Sequence, residues 1–268
     1  MLAACAGAVG CGDDPNTQAR ATPRSVPDVT VTLPATHAST AAEASPPPSR
    51  TSSTTSKPPA KALIQIVGYS VQKQPLKVRV VGDPNASRRI LLVGCIHGDE
   101  PAGEAVTKRL RSVKPPAGTL WYLVDAFNPD GCAAGTRQNA HHVDLNRNSP
   151  WNWKPLTGYE YSGTGPLSEP ESRAINRFLR RVRPAVTIWY HQHATLVDPS
   201  SGGDRELERR YAERVGLPLK DYGRKPGSIP TWQNRILDPS GSAFVVELPA
   251  GAMSSAAVAR HVAAIRKL

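Results

Sequence analysis

The sequence lacks any long apolar run. No segment approaches the roughly 20 consecutive apolar residues that a membrane-spanning helix needs, and no internal repeat is evident. Lysine and arginine are scattered along the chain instead of forming a basic run, and no nucleic-acid-binding motif is present. These absences argue against a nucleic-acid partner, and they leave an N-terminal lipid anchor as the one expected route of membrane contact.

Cysteine is also scarce, with four residues in 268. Cys5 closes the segment Leu2-Ala3-Ala4-Cys5, which matches the end of a bacterial lipoprotein signal, whereas Cys11 follows a less convincing match. The positively charged start and the apolar stretch of a signal are missing. One explanation is a true start that lies upstream, and an ordinary flexible terminus is the alternative. We expect export to an extracellular, cell-surface or periplasmic location, with lipid anchoring left open.

Residues 1–60 have the composition of a disordered or extended linker. From Ala41 to Ala60, 17 of 20 residues are Ala, Pro, Ser or Thr, and no apolar periodicity is visible. Such a segment cannot bury enough apolar surface to offset the entropy lost on ordering. Residues 61–268 are enough for one large domain with a buried core. We therefore predict a domain boundary between residues 60 and 61.

The net charge of +11 lies in residues 61–268, which carry 29 basic and 18 acidic side chains. The four basic and four acidic residues of the first sixty cancel. A basic domain is attracted to anionic cell-wall polymers or acidic peptides. The alternative is a solvated, arginine-rich surface without such a partner.

After residue 61, short apolar runs alternate with amphipathic stretches. The predicted strands are Lys77–Val81, Ile90–Cys95, Thr119–Asp125, Ala185–Tyr190 and Ala243–Leu248. The predicted helices are Ala102–Val113, Glu169–Val182, Asp204–Val215 and Ser254–Lys267, with Ser168 as the capping residue of the second. This alternation predicts a single α/β domain with a mixed, mostly parallel sheet flanked by helices and preceded by the disordered tail.

His97 and Glu100 follow directly on a buried strand, in the segment His97-Gly98-Asp99-Glu100. A His and a Glu three positions apart in a tight turn can direct both side chains onto one metal ion. Imidazole nitrogen and carboxylate oxygen are good zinc ligands, and a catalytic zinc normally takes three protein ligands and a water. This spacing alone also arises by chance, so its significance depends on the residues that follow.

Further polar residues occur in a set order after this pair: Asn128-Pro129-Asp130-Gly131, Arg137, Val143-Asp144-Leu145-Asn146-Arg147-Asn148, His191 and Glu247. Together these residues resemble the zinc carboxypeptidase family, and the short loops resemble its bacterial murein-peptide amidase branch. The matching motifs run from Gly94 to Gly251. The resemblance implies a zinc carboxypeptidase-like fold and a hydrolase with one zinc ion per chain.

The third zinc ligand should follow the strand at 185–190. His191 and His193 are both available there, and strand alternation puts both on one face, so geometry does not choose between them. In the family the third ligand directly follows the apolar strand. The resemblance therefore implies His191, together with His97 and Glu100, and leaves His193 to line the site.

The resemblance also implies roles for two residues near the ligands. Asp144 would accept a hydrogen bond from the second nitrogen of His97, which fixes the tautomer of that ring and raises its basicity. A turn-forming aspartate is the alternative. Arg137 would polarise the scissile carbonyl together with zinc and stabilise the developing oxyanion.

Three more residues resemble the substrate-handling groups of the family. Asn146 and Arg147 would bind the terminal carboxylate of the substrate, since a planar guanidinium forms two charge-assisted bonds to a carboxylate. Glu247 would accept a proton from the attacking water and deliver it to the leaving amine. A buried carboxylate at a strand end is costly without a reason, and a salt bridge to an arginine is the structural alternative for Glu247.

Two features stay open at this level. The mobile tyrosine that covers the substrate in the pancreatic enzymes has no clear counterpart, although Tyr222 and Trp232 lie in the corresponding region. Cys95 and Cys132 flank the proposed active-site loops, where they form either a disulfide or two buried thiols.

The function expected from these residues is zinc-dependent hydrolysis of a peptide amide next to a free carboxylate. The murein-amidase resemblance suggests the bond between γ-D-glutamate and a diamino acid in cell-wall peptides, with ordinary peptides close behind. One rival is a zinc deacylase of N-acyl amino acids, of the aspartoacylase or succinylglutamate desuccinylase type. The other rival is a non-catalytic, surface-anchored wall-binding module, which would have no need to keep the ligands and Glu247.

Overall fold

The computed structural model describes residues 63–237 and 240–268. The predictions for residues 1–60, including the linker, the lipid anchor at Cys5 and the boundary at residue 60, lie outside the described residues and stay predictions. No helix in the described ranges is long and apolar enough to cross a membrane.

Seven strands and six helices form the described part of the chain. The strands are β1 Leu63–Tyr69, β2 Pro75–Gly82, β3 Arg88–Val93, β4 Thr119–Val124, β5 Val186–Gln192, β6 Leu196–Asp198 and β7 Ser242–Leu248. The helices are α1 Glu104–Leu110, α2 Pro129–Ala134, α3 Pro170–Val182, α4 Arg205–Val215, α5 Ile229–Trp232 and α6 Ser255–Ile265. Short 3₁₀ turns occupy Pro101–Gly103, Leu145–Arg147 and Gly158–Glu160, and a π-helical turn at Gln233–Leu237 follows α5.

All seven strands join one mixed sheet, in the order β1-β2-β4-β3-β5-β7-β6. The central strands β4, β3, β5 and β7 are parallel, whereas β2 and β6 pair antiparallel with their neighbours. Five of the seven strands therefore run in one direction. The predicted α/β domain with a mixed, mostly parallel sheet is confirmed.

Helices cover both faces of this sheet because the side chains of its central strands are apolar on both sides. Alternate residues of β3 point to opposite faces of the sheet. Ile90 and Leu92 pack on one face with α1, α4 and α6. Leu91 and Val93 pack on the opposite face with α3 and α5. A strand buried on both faces reads as a continuous apolar run, which is why the central strands were predictable.

The structure differs from the sequence predictions at the edges of the sheet and at one helix start. Strands β1 and β6, and the short helices α2 and α5, were not predicted. Helix α3 begins at Pro170 with Glu169 as its N-cap and no side-chain capping bond, so the predicted capping role of Ser168 was wrong. The Ser168 hydroxyl instead donates to Glu169 Oε1 and accepts from Asn148 Nδ2.

Candidate metal centre and active site

The site lies at the carboxyl ends of three central strands. The loop after β3 carries His97 and Glu100, β5 contains His191 near its end, and β7 contains Glu247. His191 and Glu247 are directly opposite each other in the parallel register of β5 and β7. Ligand sites of open α/β sheets form at this edge because the strand ends and their loops converge there.

A glycine allows the first of these loops to pack closely. A Cβ atom at Gly98 would collide with the backbone of Gly131, at the start of helix α2. The Gly98 N–H donates to the Thr136 carbonyl at 2.9 Å, which holds the two loops together. A disulfide between Cys95 and Cys132 joins the same two segments. The structure therefore takes the disulfide alternative that the sequence left open.

Three potential metal-ligand atoms converge in this edge of the sheet. His97 Nδ1 lies 2.9 Å from Glu100 Oε1, and His191 Nδ1 lies 2.9 Å from Glu100 Oε2. The two Nδ1 atoms are 3.1 Å apart, and all three residues are buried. Two ligand atoms each about 2.0 Å from a tetrahedral zinc ion would lie roughly 3.3 Å apart. The donor types and their spacing therefore fit a zinc ion.

His193, the alternative third ligand, does not join this cluster. It is exposed and lines the wider cavity instead. Strand β5 ends at Gln192, so the alternation that would have placed His193 on the face of His191 does not extend that far. Two histidines of similar sequence context thus have different surroundings.

Asp144 occupies the position expected beside His97. His97 Nε2 lies 3.0 Å from Asp144 Oδ1, while its Nδ1 faces the other ligands. Burial alone would raise the pKa of Asp144, but the charge of His97 and its hydrogen bond, and then Arg137, hold it well below its ordinary value. An ionised Asp144 favours a proton on His97 Nε2, and it leaves Nδ1 as the coordinating atom.

Glu100 is also held in its charged form. Burial would raise its pKa, but His191 and His97 outweigh burial and lower it far below the ordinary range. Burial would lower the pKa of His97, but the interactions with Asp144 and Glu100 outweigh the effect of burial. The pKa of His97 is therefore raised. Glu100 is therefore a charged carboxylate beside two imidazoles, and a metal ion would bind there with the imidazole nitrogens deprotonated.

Arg137 closes one side of this cluster. Its Nε donates to Asp144 Oδ2 at 2.9 Å, and its Nη1 lies 3.0 Å from both Glu100 Oε1 and His97 Nδ1. The guanidinium also lies 4.7 Å from the ring centroid of Tyr159. Arg137 is thus at the ligand cluster, where the resemblance had placed it. Tyr159 was not predicted, because no motif surrounds it in the sequence.

Arg147 and Asn146 lie in the turn that follows Asp144. Arg147 Nη1 donates to the Asn146 carbonyl at 2.9 Å, and Nη2 donates to Glu160 Oε1 at 2.6 Å. Asn146 Oδ1 accepts from the Ile229 N–H at 3.1 Å, and its Nδ2 lies 3.4 Å from His191 Nε2. These contacts tie the proposed carboxylate-binding pair to the ligand cluster and to α5.

Glu160 is a second cavity residue that the sequence did not reveal. Burial would raise its pKa, but its hydrogen bond and ion pair with Arg147, and then Lys225, lower it. Its side chain is 38% exposed, compared with 6% for Arg147. Glu160 therefore reaches Arg147 from the solvent side.

Glu247 shares an open cavity of about 580 Å³ with these groups. The Ala194 N–H lies 3.4 Å from Glu247 Oε2, and no lysine or arginine in the described ranges forms an ion pair with this carboxylate. Among those residues Glu247 therefore has no arginine partner for the salt bridge that was its structural alternative. The cavity is lined by His97, Glu100, Arg137, Asn146, Arg147, Tyr159, Glu160, His191, Tyr222 and Glu247, among others.

Only one of the two aromatic lid candidates faces this cavity. Tyr222 is 56% exposed and lines it. Trp232 is 2% exposed and packs in the core with Ile229 of the same short helix. Trp232 is therefore a core residue, and a covering role is open only to exposed side chains such as Tyr222 and Tyr159.

Comparison with known proteins gives a consistent result. A family model described as zinc carboxypeptidase matches residues 114–213. The chain is 34% identical over 167 residues to murein peptide amidase A of Escherichia coli, covering 56% of this chain and 68% of that protein. It is 33% identical over 201 residues to murein peptide amidase A of Vibrio campbellii, covering 68% of this chain and 77% of that protein.

Solved structures share the fold. A murein-tripeptide amidase from Escherichia coli aligns with a TM-score of 0.63 at 26% identity, covering 76% of this chain and 90% of that chain. Carboxypeptidase A from Helicoverpa armigera aligns with a TM-score of 0.65 at 16% identity, covering 76% and 67% respectively. Sequence and fold thus agree with the geometry of the site: this chain belongs to the zinc carboxypeptidase family and is a hydrolytic metallopeptidase.

Proposed function

We propose that this protein is a zinc-dependent carboxypeptidase or amidase that hydrolyses a peptide amide next to a free carboxylate in cell-wall (murein) peptides. The observation that carries the proposal is one cavity holding both the His97–Glu100–His191 cluster and the Arg147 guanidinium. A metal site and a carboxylate-binding group in one cavity favour cleavage beside a terminal carboxylate. The similarity to murein peptide amidases supports wall peptides over ordinary peptides.

The residues of this chain divide the chemistry between them. His97, Glu100 and His191 would hold one zinc ion, with Asp144 orienting His97. When bound, zinc supplies a Lewis acid and lowers the pKa of water to about 7. Asn146 and Arg147 bind the free carboxylate and so position the adjacent amide.

Proton transfer is assigned to Glu247, and charge stabilisation to Arg137. Glu247 is opposite His191 in the sheet register, and both residues line the same cavity. It accepts the proton of the attacking water and donates it to the nitrogen of the leaving amine. Arg137, at the edge of the cluster, offers N–H groups to the oxyanion that develops on the carbonyl.

Export is part of the same proposal. Its sequence support is the lipoprotein-like Cys5 segment and the spacer that follows. The disulfide between Cys95 and Cys132 adds support, since disulfides persist in oxidising compartments and are rare in the cytosol. An extracellular, cell-surface or periplasmic location would also give access to cell-wall peptides.

The test is a substrate panel with the purified 268-residue chain, assayed before and after zinc loading. The panel contains L-Ala-γ-D-Glu-diaminopimelate, an ordinary tripeptide, the same two peptides with amidated C-termini, and a short N-acyl amino acid. We expect zinc-dependent cleavage of the γ-D-glutamyl bond and weak cleavage of the amidated peptides. Preference for the N-acyl amino acid would replace the proposal with the deacylase function, and zinc binding without any hydrolysis would favour a wall-binding module.

A further inference from the structure

Helix α3 carries a row of arginines that have no acidic partner. Arg173, Arg177 and Arg181 are exposed, and because they are four residues apart they lie along one side of the helix. Residues at this spacing are neighbours about 5–6 Å apart. None of the three forms an ion pair with an aspartate or glutamate of residues 63–237 or 240–268. The row is therefore a linear series of uncompensated positive charges.

Helix α4 shows how exposed arginines of this chain are otherwise arranged. Arg209 and Arg210 both pair with Glu206, at 2.7 and 3.0 Å respectively. Helix α3 contains one acidic residue, Glu171, which is buried in its first turn. The arginines of α3 thus lack the local neutralisation found in α4, and their charge is available to an anionic partner.

A cavity of about 560 Å³ opens at the C-terminal end of this row. Six residues line it: Gln65, Ile66, Arg89, Tyr122, Arg181 and Val182. Arg181 Nη2 donates to Gln65 Oε1 at 3.3 Å, and this acceptor is neutral. Two guanidinium groups therefore line one cavity that has no carboxylate in its lining.

The second of these guanidinium groups, that of Arg89, is only partly satisfied. Its Nη1 donates to the Val182 carbonyl at 3.2 Å, at the end of α3. Its Nε is buried and has no hydrogen-bond partner among the described residues, a situation that typically costs about 1–3 kcal/mol. Arg89 also has no carboxylate partner in that part of the chain. An anion in the cavity would compensate this buried charge.

This basic surface lies at the opposite end of the sheet from the metal centre. Arg89 is the second residue of β3, and its carbonyl accepts from the Ala185 N–H at 2.8 Å, just before β5 begins. His97 follows the other end of β3. A partner bound beside Arg89 would therefore leave the active-site cavity open.

We propose that Arg89, Arg177 and Arg181 bind a linear polymer that carries a phosphodiester in each repeat unit, as an anionic polymer of a cell wall can. A planar guanidinium forms two charge-assisted hydrogen bonds to a phosphate. A row of cations favours a partner with repeated anions over a single ion. The inference goes beyond the proposed function and uses none of its residues, so it can be tested without turnover.

The test is titration calorimetry of the purified 268-residue chain with poly(glycerol phosphate). The wild-type protein should bind, and log Kd should rise linearly with log salt between about 50 and 200 mM. Arg177→Gln combined with Arg181→Gln should raise Kd about 10-fold or more at the lower salt concentration. The same double variant should reduce the salt slope by about one for each arginine removed.

The matched control is Arg260→Gln combined with Arg266→Gln, which removes the same charge from exposed residues of α6, on the other face of the sheet. Its Kd should stay within about three-fold of the wild type, because exposed charges away from the polymer are screened. Thermal melting checks the fold of both double variants. Equal losses in the two would assign binding to the overall net charge and overturn the site.

Three further probes test the chemistry of the partner. Orthophosphate that binds as tightly as the polymer would overturn the linear site, and polyglutamate that does so would overturn the phosphodiester. Tighter binding of a single-stranded oligonucleotide would replace the wall polymer with a nucleic acid.

A measurement on the wild-type protein keeps the inference testable if the double variant does not fold. Phenylglyoxal modifies exposed arginines, and mass spectrometry locates the modified residues. Poly(glycerol phosphate) should protect Arg177 and Arg181 and leave Arg260 and Arg266 reactive. Equal reactivity of all four with and without the polymer, or no binding by the wild-type protein, would overturn the inference.

Discussion

Arg147 Nη2 lies 2.6 Å from Glu160 Oε1, so the guanidinium proposed to bind the substrate carboxylate already holds a carboxylate of its own chain. Lys225 Nζ lies 3.9 Å from the same oxygen. Glu160 is the more exposed partner, and its pair with Arg147 is on the solvent side. A substrate carboxylate must therefore either displace Glu160 or share the guanidinium with it.

We predict that Glu160→Gln lowers KM for substrates with a free C-terminal carboxylate. The neutral amide competes less for Arg147, and a partly exposed ion pair typically contributes about 0.2–1 kcal/mol, so the change should reach at most about five-fold. Steady-state kinetics on a free and an amidated peptide measure it. A raised KM for the free peptide would show that Glu160 positions Arg147 instead of competing for it.

Arg147→Ala should raise KM for free-carboxylate substrates about 10- to 150-fold, the expected result of losing a charged hydrogen bond. Amidated peptides should be affected much less, because they have no carboxylate to lose. Arg147→Lys should restore only part of the loss, since an ammonium cannot reproduce the planar fork. Equal losses on both peptides would assign Arg147 a structural role and remove the main support for exopeptidase activity.

Metal analysis distinguishes the two histidines at the end of β5. His191→Ala should lose the single zinc ion expected per chain, because His191 Nδ1 is within the ligand cluster. His193→Ala is the matched control and should keep zinc, because that side chain is exposed and outside the cluster. Elemental analysis after dialysis gives the stoichiometry, and zinc loss only in His193→Ala would move the ligand to that position.

Glu247→Gln should keep the fold and the zinc ion but lose kcat by about 10²- to 10⁴-fold, the usual contribution of a general acid–base group. The substitution preserves shape and removes the proton acceptor. Thermal melting and metal content are the controls, and kcat on the preferred peptide is the readout. Near-normal turnover would exclude Glu247 from the mechanism.

The pH dependence of stability should reveal a buried carboxyl away from the site. Burial raises the pKa of Glu208 from 4.5 to about 8, against a hydrogen bond donated by the Ser242 hydroxyl at 2.7 Å. The folded state then holds this proton more tightly than the unfolded state. The resulting stability is fully present below about pH 4.5 and is lost as the pH rises through about 8.

We therefore expect the free energy of unfolding to fall more steeply in the wild type than in Glu208→Gln between about pH 5 and about pH 9. Each unit of pKa difference corresponds to about 1.4 kcal/mol. Glu213→Gln, an exposed carboxylate of the same helix, is the control and should follow the wild type. Urea unfolding at each pH measures the difference, and parallel curves for wild type and Glu208→Gln would contradict it.

The central part of the fold was predictable because its signals are local. Strands β3, β5 and β7 are continuous apolar runs, and the polar residues at their ends had to meet at one edge of a parallel sheet. A shared site at the strand ends could therefore be expected from the sequence, whereas the resemblance to the family selected His191 over His193 and supplied Asp144 at the second nitrogen of His97. The edge strands gave weaker signals: β6 has three residues, and β1 exposes Leu63 and Ile66 by 55% each.

The tertiary structure alone decided the contacts between residues that are far apart in the chain. The exclusion of His193 from the cluster follows from the end of β5 at Gln192, which residue alternation alone does not indicate. Glu160 contacts Arg147 from a loop that contains no recognisable motif. Asp198 lines the cavity because its strand, β6, pairs with β7, which lies about fifty residues later in the chain, in a register set by the sheet. The sequence by itself thus determined which chemical groups occur at the strand ends, since local patterns encode strands and turns. Long-range packing determined which charges face one another, because such contacts depend on the whole fold.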